Sequence, residues 1–302
     1  MTPAIERTFV TLPSGRVHVV ACGTGRPILL LHQTPRSWDE YREVLPLLAS
    51  KYRAIAMDTV GFGDSEPLPS GSDSIEAWAS AAHHLLRALD LRSAVVVGHH
   101  TGAAIAIEMA AMHPERVDAL VLSASPYVDA ARRAAEPGRR VIDEVATHVD
   151  GLHLVELWAR RQPFYPKDRH DLLERFMVDA LKAGPRAVEG HRVVGRYVME
   201  PRLKLVRCPT LVVAPTADPH AYPHAPKVAA AIAGSQLIEI EGGMVPLPDQ
   251  MPDAFAAAID RVLSQARLTA KSFTSYLSRD CVNGTSHGRA IFCQGSRGPQ
   301  AR

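Results

Sequence analysis

Four short, unbroken apolar runs constrain the fold most strongly: Pro27–Leu31 (PILLL), Ala94–Val97 (AVVV), Ala119–Leu122 (ALVL) and Thr210–Ala214 (TLVVA). A strand with one wet face alternates apolar and polar residues. A strand apolar at every position is buried on both faces, as in a parallel sheet covered by helices. Stretches with helical spacing separate these runs: Trp38–Ala49, Ile75–Leu89 and Thr101–Met112. Arg7–Leu12 and Arg16–Ala21 around Pro13-Ser14-Gly15 read as a hairpin, and Arg53–Met57 and Gln236–Ile240 as further strands. A last helix is predicted from about Pro252 to Ala266. The alternation calls for an α/β protein with a mostly parallel sheet and helices on both faces.

The rhythm breaks after Pro126. Residues 127–204 hold helical stretches rich in Arg and Pro, among them Arg132, Arg133, Pro137, Arg139 and Arg140, and no clear buried strand. A chain of 302 residues suits one α/β core with an inserted subdomain. The expected division is therefore a core of 1–126 and 205–266, a helical cap of 127–204 and an extension of 267–302. That extension is rich in Ser and Gly, carries six basic residues against Asp280, and reads as disordered.

Hydrophobic residues at 46% and charged residues at 22% are enough for a large core. A formal net charge of +2 makes no electrostatic case for nucleic acid or an acidic membrane. No stretch nears the roughly 18 apolar residues of a membrane span, and the first ten residues show no signal-peptide pattern. Cys22, Cys208, Cys281 and Cys293 lack CxxC spacing and read as thiols of a reducing, cytoplasmic compartment. The sequon at Asn283-Gly284-Thr285 reads as accidental.

Gly98-His99-His100-Thr101-Gly102 joins a buried strand to a helix, with small residues flanking a central His100. Three other segments stand at strand ends: Leu30-Leu31-His32-Gln33-Thr34-Pro35, Asp58-Thr59-Val60-Gly61-Phe62-Gly63-Asp64-Ser65, and the pair Ala214-Pro215-Thr216-Ala217-Asp218-Pro219 with Glu241-Gly242-Gly243-Met244-Val245-Pro246. Together, over about Thr8 to Ala266, they resemble the α/β-hydrolase family, in particular its capped branch of epoxide hydrolases, dehalogenases and C–C bond hydrolases. The resemblance implies that the glycine frame is a nucleophile elbow, Gly-x-Ser-x-Gly in the family, with His100 at the nucleophile position. It places Asp218 at the acid position and Met244 where the base histidine belongs. It makes the backbone N–H groups of Thr34 and Thr101 the oxyanion hole. Gln33 replaces the family's glycine.

With no serine and no base histidine, seryl-enzyme chemistry is not expected. A neutral imidazole needs no partner to accept a proton, and the helix N-terminus beside it favours the neutral ring. His100 is therefore read as nucleophile or general base, in an enzyme acting on a small apolar or mildly polar substrate. A non-catalytic binding protein and a lyase or decarboxylase remain alternatives, because one fold hosts many activities. Asp218 is expected to be a relic or an orienting group, pairing with His100 directly only if elbow and acid loop approach within about 3 Å, with Met244 able to fill the volume of the family's histidine, in a cleft drier and less polar than a working triad. His32 and His99 are expected beside the pocket. His220 and His224 stand at ligand spacing, but the surrounding prolines argue for a loop, so no metal and no cofactor is expected. Trp158, Phe164, Tyr165, His153 and Tyr197 are candidates for the pocket roof. The expected partner is a small molecule, not nucleic acid or membrane, and a homodimer stays open.

Overall fold

A computed structural model of the chain describes residues 4–264. The expected extension, Cys281, Cys293 and the sequon lie outside those residues. β1 (Ile5–Leu12) and β2 (Gly15–Cys22) form the expected antiparallel hairpin. β3 (Arg26–Leu31), β4 (Tyr52–Met57), β5 (Ala94–His99), β6 (Val117–Ser123), β7 (Thr210–Pro215) and β8 (Gln236–Ile240) are mutually parallel where they pair. The order across the sheet is β1-β2-β4-β3-β5-β6-β7-β8, with β2 antiparallel to β4.

Neighbouring residues of the central strands face opposite layers, which explains their unbroken apolar runs. Leu29, Leu31 and Val96 pack into the layer of α2 (Ile75–Ala88) and α3 (Thr101–Met112), against Trp78 and Ile105. Ile28, Leu30, Val95 and Val97 pack into the opposite layer, against Leu45 and Leu48 of α1 (Val44–Ala49) and Phe255 and Ile259 of the closing helical stretch 252–264. The helix expected over Trp38–Ala49 is split: Trp38–Tyr41 is a 3-10 turn, and α1 begins only at Val44.

Between β6 and β7 lie α4 (Ala130–Ala135), α5 (Leu152–Arg161), α6 (His170–Ala183), α7 (Arg186–Arg196) and α8 (Glu200–Leu203), with no strand among them. Leu157, Leu172, Leu173 and Phe176 give this segment a small core of its own. α7 lies close to the loop after β3. A Cβ built on Gly190 would stand 2.8 Å from the Thr34 side chain, an approach only glycine permits. α9 (Ala225–Ala231) connects β7 to β8, and α10 (Leu247–Gln250) follows β8. Among the described residues no helix is long and apolar enough to cross a membrane.

Candidate active site

One residue, His100, joins the end of β5 to the start of α3, with φ 47° and ψ −111°. Positive φ is uncommon for a residue with a side chain, and histidine tolerates it better than most. Its neighbours hold it there. His100 N–H donates to Ser123 O at 3.0 Å, and His100 O accepts from Ala103 N–H at 2.9 Å. A Cβ on Gly98 would lie 2.2 Å from Gly102 O, and one on Gly102 would lie 1.9 Å from Leu31 O. Glycine at both positions lets the helix start hard against the strands and aims the His100 side chain outward.

The imidazole Nε2 of His100 lies 2.8 Å from Asp218 Oδ2. The contact is close but bent, off the axis of a straight hydrogen bond, and Nε2 is buried with no other partner. Asp218 sits in the turn after β7 and is fully buried. Its Oδ1 accepts from the backbone N–H of His220 at 2.8 Å and of Ala221 at 3.1 Å. Burial works to raise its pKa, but His100 and the His220 N–H outweigh burial and hold it at about 2. The expected gap between His100 and Asp218 is therefore absent. The His100 ring itself reaches the carboxylate, so Asp218 is no detached relic.

Met244 does not fill that volume. It does not line the cavity beside His100; Val245 does. Met244 is held by its backbone, whose N–H donates to Gln250 Oε1 at 2.7 Å. His99 packs and hydrogen-bonds beside the turn, as expected, without lining the cavity. It is fully buried below the turn, with Nδ1 2.9 Å from Ser123 Oγ and Nε2 2.9 Å from Val245 O. Burial, then His100, pushes its pKa down to about 3, so it is a neutral strut. His32 is likewise a strut. Its Nδ1 meets Gln33 O at 2.7 Å and its Nε2 accepts from Thr59 N–H at 2.8 Å, which makes Nδ1 the donor.

Beside His100 the backbone N–H groups of Thr34 and Thr101 have no acceptor among the described residues. The two side chains join through their hydroxyls at 2.9 Å. Gln33 is clamped by Glu40, which accepts from its backbone N–H at 2.9 Å and its amide at 2.5 Å. Burial pushes Glu40 up to about 8.

A cavity of about 210 Å³ opens above these residues. Gln33, Thr34, His100 and Thr101 form its floor, and His220 and Val245 stand at its edge. The helical segment supplies Arg132, Arg139, Arg140, Arg161 and His191, and no acidic residue lines it. Arg161 is held by buried Asp143 through Nε at 2.6 Å and Nη2 at 2.5 Å, and His191 Nε2 meets the same carboxylate at 2.8 Å. Arg139 is held by Glu136 at 2.7 Å. The expectation of a dry, weakly polar cleft is thus overturned. The inserted segment turns its arginines inward, while its aromatic residues go elsewhere.

Trp158, Phe164 and Tyr165 join the segment's own core, Tyr197 donates to buried Glu108 at 2.8 Å, and His153 accepts from His148 N–H at 3.2 Å. None of the five lines the cavity. The arginines were visible in sequence as a bias of the segment. No spacing linked them to His100, because their convergence comes from tertiary packing.

His224 lies in the 3-10 turn Tyr222–His224 outside the cavity lining, so it does not join His220 there. Among the described residues one group of three potential ligands lies close together, His18, Asp58 and Asp64, with ligand atoms within 4.8 Å. Its oxygens are already used. Asp58 accepts from Trp38 N–H at 2.6 Å and Asp64 N–H at 2.9 Å, and Asp64 pairs with Lys182. Cys22 and Cys208 form no disulfide.

The family profile described as alpha/beta hydrolase fold matches residues 26–146. A thermophilic esterase from Thermogutta terrifontis superposes with a TM-score of 0.71 at 24% identity, over 86% of this chain and 99% of that one. The chain is an α/β-hydrolase-fold protein. Curated relatives of this α/β-hydrolase-fold protein include a soluble epoxide hydrolase from Corynebacterium sp. (strain C12). It is 36% identical over 107 residues, 35% of this chain and 37% of that one. A 2-hydroxymuconate semialdehyde hydrolase from Pseudomonas sp. (strain CF600) is 36% identical over 130 residues, 42% of this chain and 46% of that one. For these relatives the match spans less than half of their own length.

Proposed function

We propose that the protein is a hydrolase of small organic molecules in which His100, oriented by Asp218, is the general base, and in which residues 127–204 act as a cap over the cavity. One observation carries this reading: Asp218 meets Nε2 of His100 at 2.8 Å. Nδ1 is not among the buried unpartnered atoms and has no protein partner, so it opens to the cavity. A carboxylate favours the proton on Nε2, which leaves the lone pair of Nδ1 facing the substrate. The strand-to-helix turn is then a nucleophile elbow reused to present a base.

In the proposed reaction Nδ1 takes a proton from water as the oxygen bonds to the substrate carbonyl carbon. The displaced electron pair collects on the carbonyl oxygen, held by the Thr34 and Thr101 N–H groups. Asp218 stabilises the imidazolium. The oxyanion then collapses, the bond to the leaving group breaks, and that group takes the proton from Nδ1. The products are a carboxylic acid and an alcohol, and His100 is neutral again. General-base action is favoured over nucleophilic attack because an acyl group on Nδ1 would block the ring nitrogen that must next activate water. Relatives named as epoxide, semialdehyde and haloalkane hydrolases or dehalogenases support hydrolysis of small molecules.

Turnover across a panel of esters, lactones and epoxides tests the proposal. His100→Ala should remove at least a hundredfold of the best activity, the scale of general-base catalysis, and a serine-directed fluorophosphonate should leave the elbow unlabelled. Wild-type rates in His100→Ala would overturn it.

A further inference from the structure

We propose that the cavity is built for a substrate carrying an anionic oxygen group, carboxylate or phosphate, gripped by Arg132, Arg139 and Arg140 of the helical segment while the reacting carbonyl lies at His100. The inference rests on reading this cavity as the substrate site, and it names the substrate class.

The charge of the cavity carries it. Four guanidinium groups and three imidazoles line about 210 Å³, and no carboxylate does. Ordinary burial would not collect like charges around one small space, since each repels the others and each loses hydration. The arginines also fall into two kinds. Arg161 is spoken for, bound through two nitrogens by Asp143. Arg139 keeps an ion pair to Glu136 but remains a third exposed. Arg132 and Arg140 have no carboxylate partner among the described residues. The Arg132 guanidinium donates only to the Tyr127 carbonyl oxygen, at 3.3 Å. Burial and then Arg139 weaken the hold of Arg132 on its proton, the condition a bound anion would relieve.

Guanidinium groups match carboxylate and phosphate oxygens with paired, charge-assisted hydrogen bonds. The paired members have a supporting role. Asp143 and Glu136 anchor Arg161 and Arg139 so that their donors are fixed before a ligand arrives. Gly195 makes this possible at α7, where a Cβ would meet Glu136 Oε2 at 2.0 Å. The arrangement places cationic groups on the segment side and the base with the oxyanion N–H pair on the floor. A small molecule with an anionic group at one end and a carbonyl at the other satisfies both.

Calorimetric titration of the full chain with glutarate, with inorganic phosphate and with the neutral glutaramide tests the idea without requiring turnover. Glutarate or phosphate should bind, with affinity falling as salt rises, and glutaramide should bind at least tenfold more weakly. The tighter of the two anions names the source. Arg140→Gln, at an exposed side chain whose loss leaves packing intact, should weaken anion binding about tenfold, and the double variant Arg132→Gln/Arg140→Gln further. Thermal melts confirm that the variants fold.

His100→Ala separates the two proposals. Anion binding retained with turnover lost supports both. Anion binding retained with turnover unchanged overturns the general base while sustaining the anion site. Equal binding of glutaramide and glutarate, or unchanged anion affinity in both arginine variants, overturns the present inference and leaves the base untouched.

Discussion

Asp218→Asn removes the charge and the acceptor that the proposed mechanism requires. Asparagine keeps the shape, and its carbonyl oxygen can still accept from the His220 and Ala221 N–H groups, so the turn after β7 should hold. The negative charge 2.8 Å from His100 Nε2 disappears, and the amide NH2 that replaces Oδ2 can only donate, so it also turns the ring proton from Nε2 toward Nδ1. The carboxyl is held at about 2 instead of 3.8, so its ionised form is favoured by about 2 kcal/mol. Burial opposes this shift and the His220 N–H contributes to it, so about 2 kcal/mol sets the scale of the stabilisation Asp218 returns to an imidazolium at position 100. If His100 takes a proton in the transition state, the substitution should lower kcat/KM by roughly thirtyfold or more. The sign across pH follows. A depressed carboxylate is ionised in the folded protein at every pH well above 2. Its contribution is complete above the unfolded value and fades only as pH falls toward 2, so the deficit should be constant from about pH 7.5 to pH 9, where an ordinary imidazole is neutral. The assay is kcat/KM of wild type and variant on the best ester of the panel across that range, with folding checked by circular dichroism. A variant within twofold of wild type would refute the reasoning, and so would a deficit that vanishes at high pH.

Three further outcomes are expected. Gly102→Ala would place a methyl group 1.9 Å from Leu31 O, and urea unfolding should show a loss of about 3 kcal/mol or failure to fold. Arg36→Met would strip the buried guanidinium that Asp179 and Asp249 hold at 2.8 and 2.6 Å. Asp179 would keep only the Ser37 hydroxyl and Asp249 only Arg175, which should cost about 3 kcal/mol of stability by the same measurement. Glu40, buried and pushed from 4.5 up to about 8, is protonated more readily folded than unfolded, so its contribution is full at low pH and is lost as pH rises from about 4.5 to about 8. Glu40→Gln, with the Gln33 amide reversed to match, should equal wild type near pH 4 and exceed it in thermal stability near pH 8.5.

The sheet was legible because its signal is local. Runs such as AVVV at Ala94–Val97 admit few homes other than a doubly covered strand, and the structure extends most of them by only one or two residues. The turn at His100 was legible for a similar reason, since Gly98 and Gly102 answer to backbone approaches within a few residues of themselves and to β3. The relation between His100 and Asp218 was not. It depends on how far a ring at position 100 reaches across the sheet end, and reasoning from where a separate histidine would stand gave the wrong gap. The character of the cavity was hidden most deeply. Arg132, Arg139, Arg140 and Arg161 are spread over three elements, and polarity along the chain does not reveal which charged side chains turn inward.

Gly190 deserves a last consequence. The distance between α7 and Thr34 is set by a missing carbon, since any side chain at 190 would press into Thr34 Cβ and its hydroxyl oxygen at 2.8 Å. Thr34 belongs to the cavity floor and α7 carries His191, so this point works as the hinge pin of a jaw. Alanine there would act as a shim, widening the bite without altering any group that touches the ligand. The reach of the protein toward larger molecules is thus open to adjustment at a position outside its chemistry.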